Sequence, residues 1–173
     1  MSGRRAVFLD RDGTLMEEVH YCKDPARVRV LPGVPEALQL LKRAGFLTVI
    51  ITNQSGIGRG LMTEAQYLAV HEELMRQLGP GLIDATYFCP DPPEAHSPRR
   101  KPEPGMVFEA AADFAIDLHK SFFVGDTAAD IECGRRAGTA TFLVLTGYGA
   151  SQTALPDFTA EDLASAATLI LGL

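Results

Sequence analysis

Cysteine is scarce in this sequence, and its three residues lie far apart. Cys22, Cys89 and Cys133 form an odd set with no CxxC pair. A framework of disulfides requires paired cysteines, and a four-cysteine zinc site requires closely spaced ones. Neither feature is expected in this chain.

Long apolar runs and an excess of basic residues are also lacking. No stretch approaches the roughly 18–20 apolar residues of a membrane span, and no signal-peptide pattern follows the opening MSGRRAVFLD. The net formal charge is −6, with 16 Lys and Arg against 22 Asp and Glu, which argues against a protein that coats nucleic acid. We therefore expect a cytoplasmic protein with no membrane and no nucleic-acid partner.

Length and composition favour a single domain over residues 1–173. At about 100–200 residues per domain, this length is sufficient for one hydrophobic core. Hydrophobic residues make up 46% and charged residues 22%, a globular mixture that excludes disordered and collagen-like chains. The sequence contains no internal repeat and no linker.

Short apolar runs alternate with segments of helical period along the whole chain. This alternation predicts an α/β fold, a three-layer Rossmann-like open parallel sheet with helices on both faces. The predicted strands are residues 6–10, 47–52, 85–89, 121–125 and 141–145, and the predicted helices are residues 34–44, 63–78, 105–116, 128–137 and 163–171. By their spacing, Phe108, Phe114, Phe122 and Phe123 are expected in the core.

Two segments show neither a short apolar run of the kind that predicts a strand nor the periodicity of a helix. Residues 13–32 follow the first strand and are too irregular for a crossover helix, so we expect a small hairpin or flap over the end of that strand. Residues 89–101 are rich in proline and poor in apolar side chains, which predicts a loop.

The first candidate site is a pair of acids where the first strand ends. Asp10 and Asp12 flank Arg11 in the run FLDRDGTL. Once the chain leaves the strand, one carboxylate can face a metal and the other a leaving group. Two solvated loop acids would show the same spacing, but the buried strand before them and the Gly-Thr after them favour a site.

The second candidate is the run TNQSG, residues 52–56, after the second strand. Its hydroxyl, amide and backbone N–H groups suit a phosphoryl group, although an ordinary polar turn has the same composition. Arg59 follows between two glycines and is either a substrate contact or a solvated arginine.

Two further candidates lie near the starts of later helices. Lys101 can meet an anion while Arg100 grips a second phosphate, or the two form a basic surface turn. Asp126 and Asp130, in the run GDTAAD, are metal ligands or acids that favour the helix dipole. All the candidates fall at or after the carboxyl ends of strands, where ligands bind in open parallel sheets.

The order DxD, Thr-Asn, Lys and GDxxxD resembles the haloacid dehalogenase (HAD) superfamily of phosphotransferases. The resemblance extends over residues 8–149 and rests on four motifs in order. It implies a HAD-like phosphatase in which Asp10 accepts the phosphoryl group as an aspartyl-phosphate. Asp12 would protonate the leaving oxygen and later activate water.

The resemblance also implies Mg²⁺ as the cofactor. Asp10, the backbone carbonyl of Asp12 and Asp126 would hold it, and Asp130 would orient the metal shell. The remaining groups of the phosphate cradle would be Lys101 with Thr52 or Asn53.

The runs FLDRDGTL, ITNQSGIGRG, MTEAQY, YFCP and RRKPEPGM are similar to one branch, the D-glycero-D-manno-heptose 1,7-bisphosphate phosphatases, which have no large cap domain. This implies an enzyme that removes one phosphate from a small phosphorylated sugar of cell-envelope lipopolysaccharide synthesis, and we expect the protein to be a monomer. The matching substrate contacts are Asn53, Gln54, Ser55, Arg59 and Arg100. The alternatives are a histidinol-phosphate phosphatase, another small phosphosugar phosphatase, or a non-catalytic phosphosugar-binding protein.

Two positions depart from that branch. Many of its members hold zinc with three cysteines and one histidine before Arg-Lys-Pro, whereas this chain has only Cys89 and His96 there, so no structural zinc is expected. Thr127 stands where relatives often have lysine, which puts one phosphate contact and the substrate in doubt.

Overall fold

The computed structural model describes residues 3–173, which contain a six-stranded, wholly parallel sheet. Its strands are β1 (Ala6–Leu9), β2 (Leu47–Asn53), β3 (Ala85–Cys89), β4 (Phe122–Gly125), β5 (Ala140–Val144) and β6 (Phe158–Ala160). They lie in the order β3-β2-β1-β4-β5-β6. The α/β prediction is confirmed, and β6 is an additional edge strand that the sequence analysis missed.

Helices connect these strands. They are α1 (Val34–Arg43), α2 (Ser55–Gly58), α3 (Glu64–Leu78), α4 (Gly105–Phe114), α5 (Ala128–Ala137) and α6 (Leu163–Leu171). The five predicted helices are all present, with bounds that differ by no more than two residues. None of the helices within residues 3–173 is long and apolar enough to cross a membrane.

Capping side chains define where the longer helices begin. The Thr63 side chain accepts a hydrogen bond from the Gln66 backbone, and the Gln66 side chain accepts one from the Thr63 backbone. Thr127 and Asp130 form the same reciprocal box at the start of α5. Each box satisfies two backbone N–H groups that the helix itself leaves without partners.

Each face of the sheet has its own hydrophobic core. Val7 and Leu9 of β1 pack with α1, α3 and α6, while Ala6 and Phe8 pack with α4 and α5. A strand alternates its side chains between the two faces, so a strand buried on both faces is apolar throughout. Phe123 lies in the core as predicted, but the prediction for Phe108 was wrong, because its side chain is 48% exposed.

Residues 13–32 form the expected hairpin-like flap. An antiparallel bridge joins Met16 to Val30, and the Leu31 N–H donates to the Leu15 carbonyl. Buried Leu15, Met16 and Val28 anchor the segment in the core. The flap is therefore attached at its base while residues 18–22 line the cavity at the end of β1.

All three cysteines are free and buried. This agrees with the expectation that no disulfide framework supports the fold.

Candidate active site

Strand order brings the candidate residues to one edge of the sheet. From β1 the chain runs outward through β2 and β3, and then returns to place β4 on the other side of β1. Open parallel sheets bind ligands at the carboxyl ends of the strands beside such a reversal. Asp10 follows β1, Thr52 lies in β2 and Asp126 follows β4, so their side chains meet there.

Lys101 connects two acids at this edge. Its Nζ donates to Asp10 Oδ1 at 2.8 Å, to Asp130 Oδ1 at 2.6 Å and to the Ile51 carbonyl at 2.8 Å. The Lys101 side chain is only 4% exposed. All three ammonium protons have partners, so an incoming phosphate oxygen must displace one of them.

Asn53 fixes the backbone that carries this lysine. Its Nδ2 donates to the Lys101 carbonyl at 3.1 Å, and its Oδ1 accepts from the Lys101 N–H at 3.0 Å. The amide of Asn53 is therefore occupied with the loop before α4. The sequence analysis expected this side chain to contact substrate, whereas its hydrogen bonds in the structure go to Lys101.

Three carboxylates stand close together beside the ammonium group. Oxygen atoms of Asp10, Asp126 and Asp130 all lie within 4.8 Å of one another, and all three residues are buried. Burial first, then the charge of Asp130, raises the pKa of Asp10 well above its usual range, and the same two causes raise the pKa of Asp126. Burial opposes the charge on Lys101, but Asp10 and Asp130 outweigh it and raise the pKa of that ammonium.

The cluster suits a divalent cation. One ammonium faces three carboxylates, so full ionisation leaves two negative charges without compensation. Carboxylate oxygens are ligands that Mg²⁺ prefers. Asp130 Oδ2 already accepts from the Asp126 and Thr127 N–H groups and from the Thr127 hydroxyl, which leaves Asp10 and Asp126 as the better ligands.

Two glycines allow the chain to close tightly around Asp126. A Cβ atom at Gly13 or at Gly147 would collide with Asp126 Oδ2. Both glycines have positive φ values, 85° and 55°, which side-chain-bearing residues rarely adopt. Tyr148 N–H donates to Asp126 Oδ2 at 3.0 Å, so the loop after β5 also fixes this carboxylate.

The Asp12 side chain takes a different direction from the three clustered acids. Its carboxylate accepts from Arg11 and, at 3.0 Å, from Gln54 Nε2. Gln54 Nε2 also lies 3.0 Å from Thr52 Oγ1 and donates to it. The Asp12 side chain is 18% exposed and lines the cavity, where it can reach a bound molecule.

A cavity of about 380 Å³ opens above these groups. Its lining includes most of the predicted site: Asp10, Asp12, Thr52, Asn53, Gln54, Ser55, Arg100, Lys101 and Asp130. Asp126 is fully buried and is not among the residues that line the cavity. Arg59 does not line the cavity, and its exposed side chain follows the short helix α2.

The sequence is similar to those of known proteins along most of its length. The HAD-hydrolase-like family profile matches residues 98–166. The D-glycero-D-manno-heptose-1,7-bisphosphate 7-phosphatase of Thermosynechococcus vestitus is 40% identical, over 94% of this chain and 93% of that protein. The protein of the same name from Chlorobaculum tepidum is 37% identical, over 99% and 97%.

The chain belongs to the HAD phosphatases, in the heptose 1,7-bisphosphate phosphatase family. Its fold agrees with this membership. The crystal structure of D,D-heptose 1,7-bisphosphate phosphatase from B. bronchiseptica, complexed with magnesium and phosphate, superposes with a TM-score of 0.90. The two chains are 35% identical, and the match covers 97% of this chain and 98% of that one.

Some residues of this HAD phosphatase site were not singled out by sequence reasoning. Glu18 lines the cavity from the flap, and Tyr148 lines it from the loop after β5. Arg11 was seen only as the residue between two acids, yet it is fully buried. An arginine two residues after a wholly apolar strand was the available signal for Arg11, whereas the position of Tyr148 depends on how a distant loop folds back.

Proposed function

We propose that this chain hydrolyses the 7-phosphate of D-glycero-D-manno-heptose 1,7-bisphosphate, with residues 1–173 acting as one phosphatase domain. The observation that carries the proposal is the Asp10 carboxylate, which faces the cavity while Lys101 holds one of its oxygens and two further acids stand beside it. The names of relatives at 37–40% identity support the substrate.

Asp10 is the proposed nucleophile. Its Oδ1 accepts from Lys101, which leaves Oδ2 to form the bond to phosphorus while the bond from phosphorus to the sugar oxygen breaks. Asp12, two residues further on, gives its proton to that departing oxygen. In the second half of the reaction Asp12 takes a proton from water, whose oxygen attacks phosphorus and releases phosphate and free Asp10.

Asp10 and Asp126 are the proposed side-chain ligands of Mg²⁺, with the Asp12 backbone carbonyl as a third. When bound, the cation supplies positive charge that allows an anionic carboxylate to approach a phosphate dianion. Lys101 adds a fixed charge on the same side, and Asp130 holds the lysine in place. Thr52 contributes a hydroxyl at the cavity wall.

Arg100 is the proposed contact for the phosphate that is not removed. It lines the same cavity as Lys101, and its Nη1 donates to the Asp91 carbonyl at 3.1 Å. That bond leaves other guanidinium N–H groups for a bidentate contact with phosphate. Two cations in adjacent positions suit a substrate with a phosphate at each end.

Phosphate release from a defined panel tests the proposal. The panel contains both anomers of heptose 1,7-bisphosphate, histidinol phosphate and fructose 1,6-bisphosphate, each with Mg²⁺ and with EDTA, and phosphorus NMR identifies the phosphate that is lost. We expect Mg²⁺-dependent loss of the 7-phosphate, with kcat/KM at least tenfold higher for one heptose anomer, about 1.4 kcal/mol. A preference for histidinol phosphate would refute the substrate but not the chemistry, and the absence of any turnover would refute both.

A further inference from the structure

Arg11 is fully buried, and its guanidinium makes hydrogen bonds to a single carboxylate. Nε donates to Asp12 Oδ2 at 3.0 Å and Nη2 to Asp12 Oδ1 at 3.3 Å. The Arg11 side chain is 1% exposed, and its Nη1 bonds to no group among residues 3–173. Among the described residues, Asp12 is therefore the one acid that is hydrogen-bonded to this buried charge.

Packing alone does not account for an arginine at this position. Removing a guanidinium from water costs several kcal/mol, and apolar residues of similar volume often replace a buried ion pair with no loss of stability. The ion pair instead fixes the orientation of the Asp12 carboxylate, because a planar guanidinium that binds both of its oxygens restricts its rotation. The feature that calls for an explanation is the orientation of Asp12.

The surroundings hold both members of the pair. The guanidinium carbon of Arg11 lies 5.2 Å from the centre of the Tyr67 ring, which in turn packs against Phe88 at 4.4 Å. On the cavity side, Gln54 Nε2 donates to Asp12 Oδ2. Tyr67 of helix α3 thus contacts the Arg11 guanidinium, and Gln54, directly after β2, holds the Asp12 carboxylate on the cavity side.

We propose that Arg11 is a positioning residue that aims the Asp12 carboxyl group at the oxygen leaving phosphorus. The inference rests on the proposed function, since it assigns Arg11 to the proton transfer made by Asp12. Its consequence concerns the leaving group. An alkoxide departs poorly without a proton, whereas p-nitrophenolate departs readily without one, so the loss of Arg11 should slow the sugar phosphate far more than p-nitrophenyl phosphate.

The experiment compares kcat/KM for heptose 1,7-bisphosphate and for p-nitrophenyl phosphate. This parameter reports the first phosphoryl transfer and is insensitive to the later attack by water. For Arg11→Met we expect a loss of about 10²-fold or more with the sugar and less than about threefold with the aryl ester, in line with the usual contribution of general acid catalysis. With the sugar, kcat should fall while KM stays within about twofold.

Two further variants separate positioning from folding. Arg11→Lys keeps the charge but not the paired N–H groups, so its loss should be intermediate. In an Asp12→Asn background, Arg11→Met should produce no further change in the ratio of the two substrates. That ratio does not depend on the folded fraction, so a variant that folds incompletely still answers the question.

Arg5→Met is the matched control. Arg5 also lies over an aromatic ring, 4.3 Å from the centre of Phe46, but it is exposed and does not line the cavity. It should leave both substrates unchanged. Equal losses with both substrates in Arg11→Met, or no loss, would overturn the positioning role, whereas wild-type protein that hydrolyses neither substrate would overturn the proposed function itself.

Discussion

The Lys101 ammonium group lies 2.8 Å from Asp10 Oδ1, although 91 residues separate the two in the chain. The amide of Asn53 binds both the N–H and the carbonyl of Lys101. A strand end thus fixes a lysine that comes from a loop. This arrangement places a permanent positive charge against the proposed nucleophile before any substrate is bound.

Replacing this lysine should affect both rate and stability. In Lys101→Met we expect kcat/KM to fall by about 10²-fold or more, the usual cost of removing one donor from a transition-state cradle. Because one partner of a buried pair remains without the other, the free energy of unfolding should fall by about 3–5 kcal/mol. Steady-state kinetics and urea unfolding measure the two effects, and a near-normal rate would show that Lys101 lies outside the cradle.

Asp10→Asn, unlike Lys101→Met, should abolish turnover without lowering the stability of the metal-free protein. The pKa of Asp10 is raised well above its usual range, first by burial and then by Asp130, so at neutral pH the ionised acid opposes folding of the metal-free protein. The asparagine variant should retain less than about 1% of turnover, and in EDTA its melting temperature should equal or exceed that of the wild type. A lower melting temperature of the variant in EDTA would contradict the conclusion that the ionised Asp10 opposes folding.

The same variant tests the metal site. At a Mg²⁺ concentration about 100 times its Kd, the wild type should gain about 2.7 kcal/mol, roughly 5–10 °C in melting temperature for a chain of this length. Asp10→Asn should lose most of that gain. Asp162→Asn, which keeps a suitable cap at the start of α6, serves as the matched control and should retain it. Equal gains in the two variants would exclude Asp10 as a ligand.

The sequence allowed most of the sheet to be predicted, and the reason is physical. A strand buried on both faces must be apolar along its length, and β1, β2, β4 and β5 carry that signal. The edge strand β6 has three residues, Phe158–Ala160, of which only Ala160 is buried, so no run identifies it.

The site was predictable by position but not by orientation. Strand ends meet at one edge, so Asp10, Thr52 and Asp126 were expected together. Spacing does not show which way a side chain points after the strand ends. Arg59 was therefore expected at the substrate but is exposed outside the cavity, and Asn53 binds the Lys101 backbone.

Glu18 should make stability depend on pH. Burial first, then the charges of Asp12 and Asp126, raises the pKa of Glu18 from its usual 4.5 to about 7. Between these values the folded protein keeps a proton that the unfolded chain has lost, so stability decreases as pH rises from about 4.5 to 7. Glu18→Gln has no such proton, and its advantage over the wild type should grow across that window.

Thermal melts in EDTA at pH 5, 6, 7 and 8 measure this difference. We expect about 1 kcal/mol by pH 8, after allowance for the solvent screening of a half-buried group, or about 2–4 °C. Glu17→Gln, the same substitution at the exposed neighbouring position, is the matched control. A stability curve for Glu18→Gln that runs parallel to that of the wild type would contradict the raised pKa of Glu18.

Arg99 should matter for activity although it does not line the cavity. It donates through Nε and Nη2 to Glu109 of α4 and through Nη1 to the Phe88 carbonyl of β3, and so anchors the loop that carries Arg100 and Lys101. A displacement of about 1 Å in such a loop can cost up to 10²-fold in rate. Arg99→Met should therefore lower kcat/KM by about tenfold, while Arg135→Met, which breaks an exposed pair with Glu132, should change it less than twofold. Equal rates in the two variants would refute the anchoring role of Arg99.

The loop before α4 should keep its shape without zinc, so purified wild-type protein should contain less than about 0.1 zinc per chain by elemental analysis. Stoichiometric zinc would contradict the expectation that this chain has no structural zinc site.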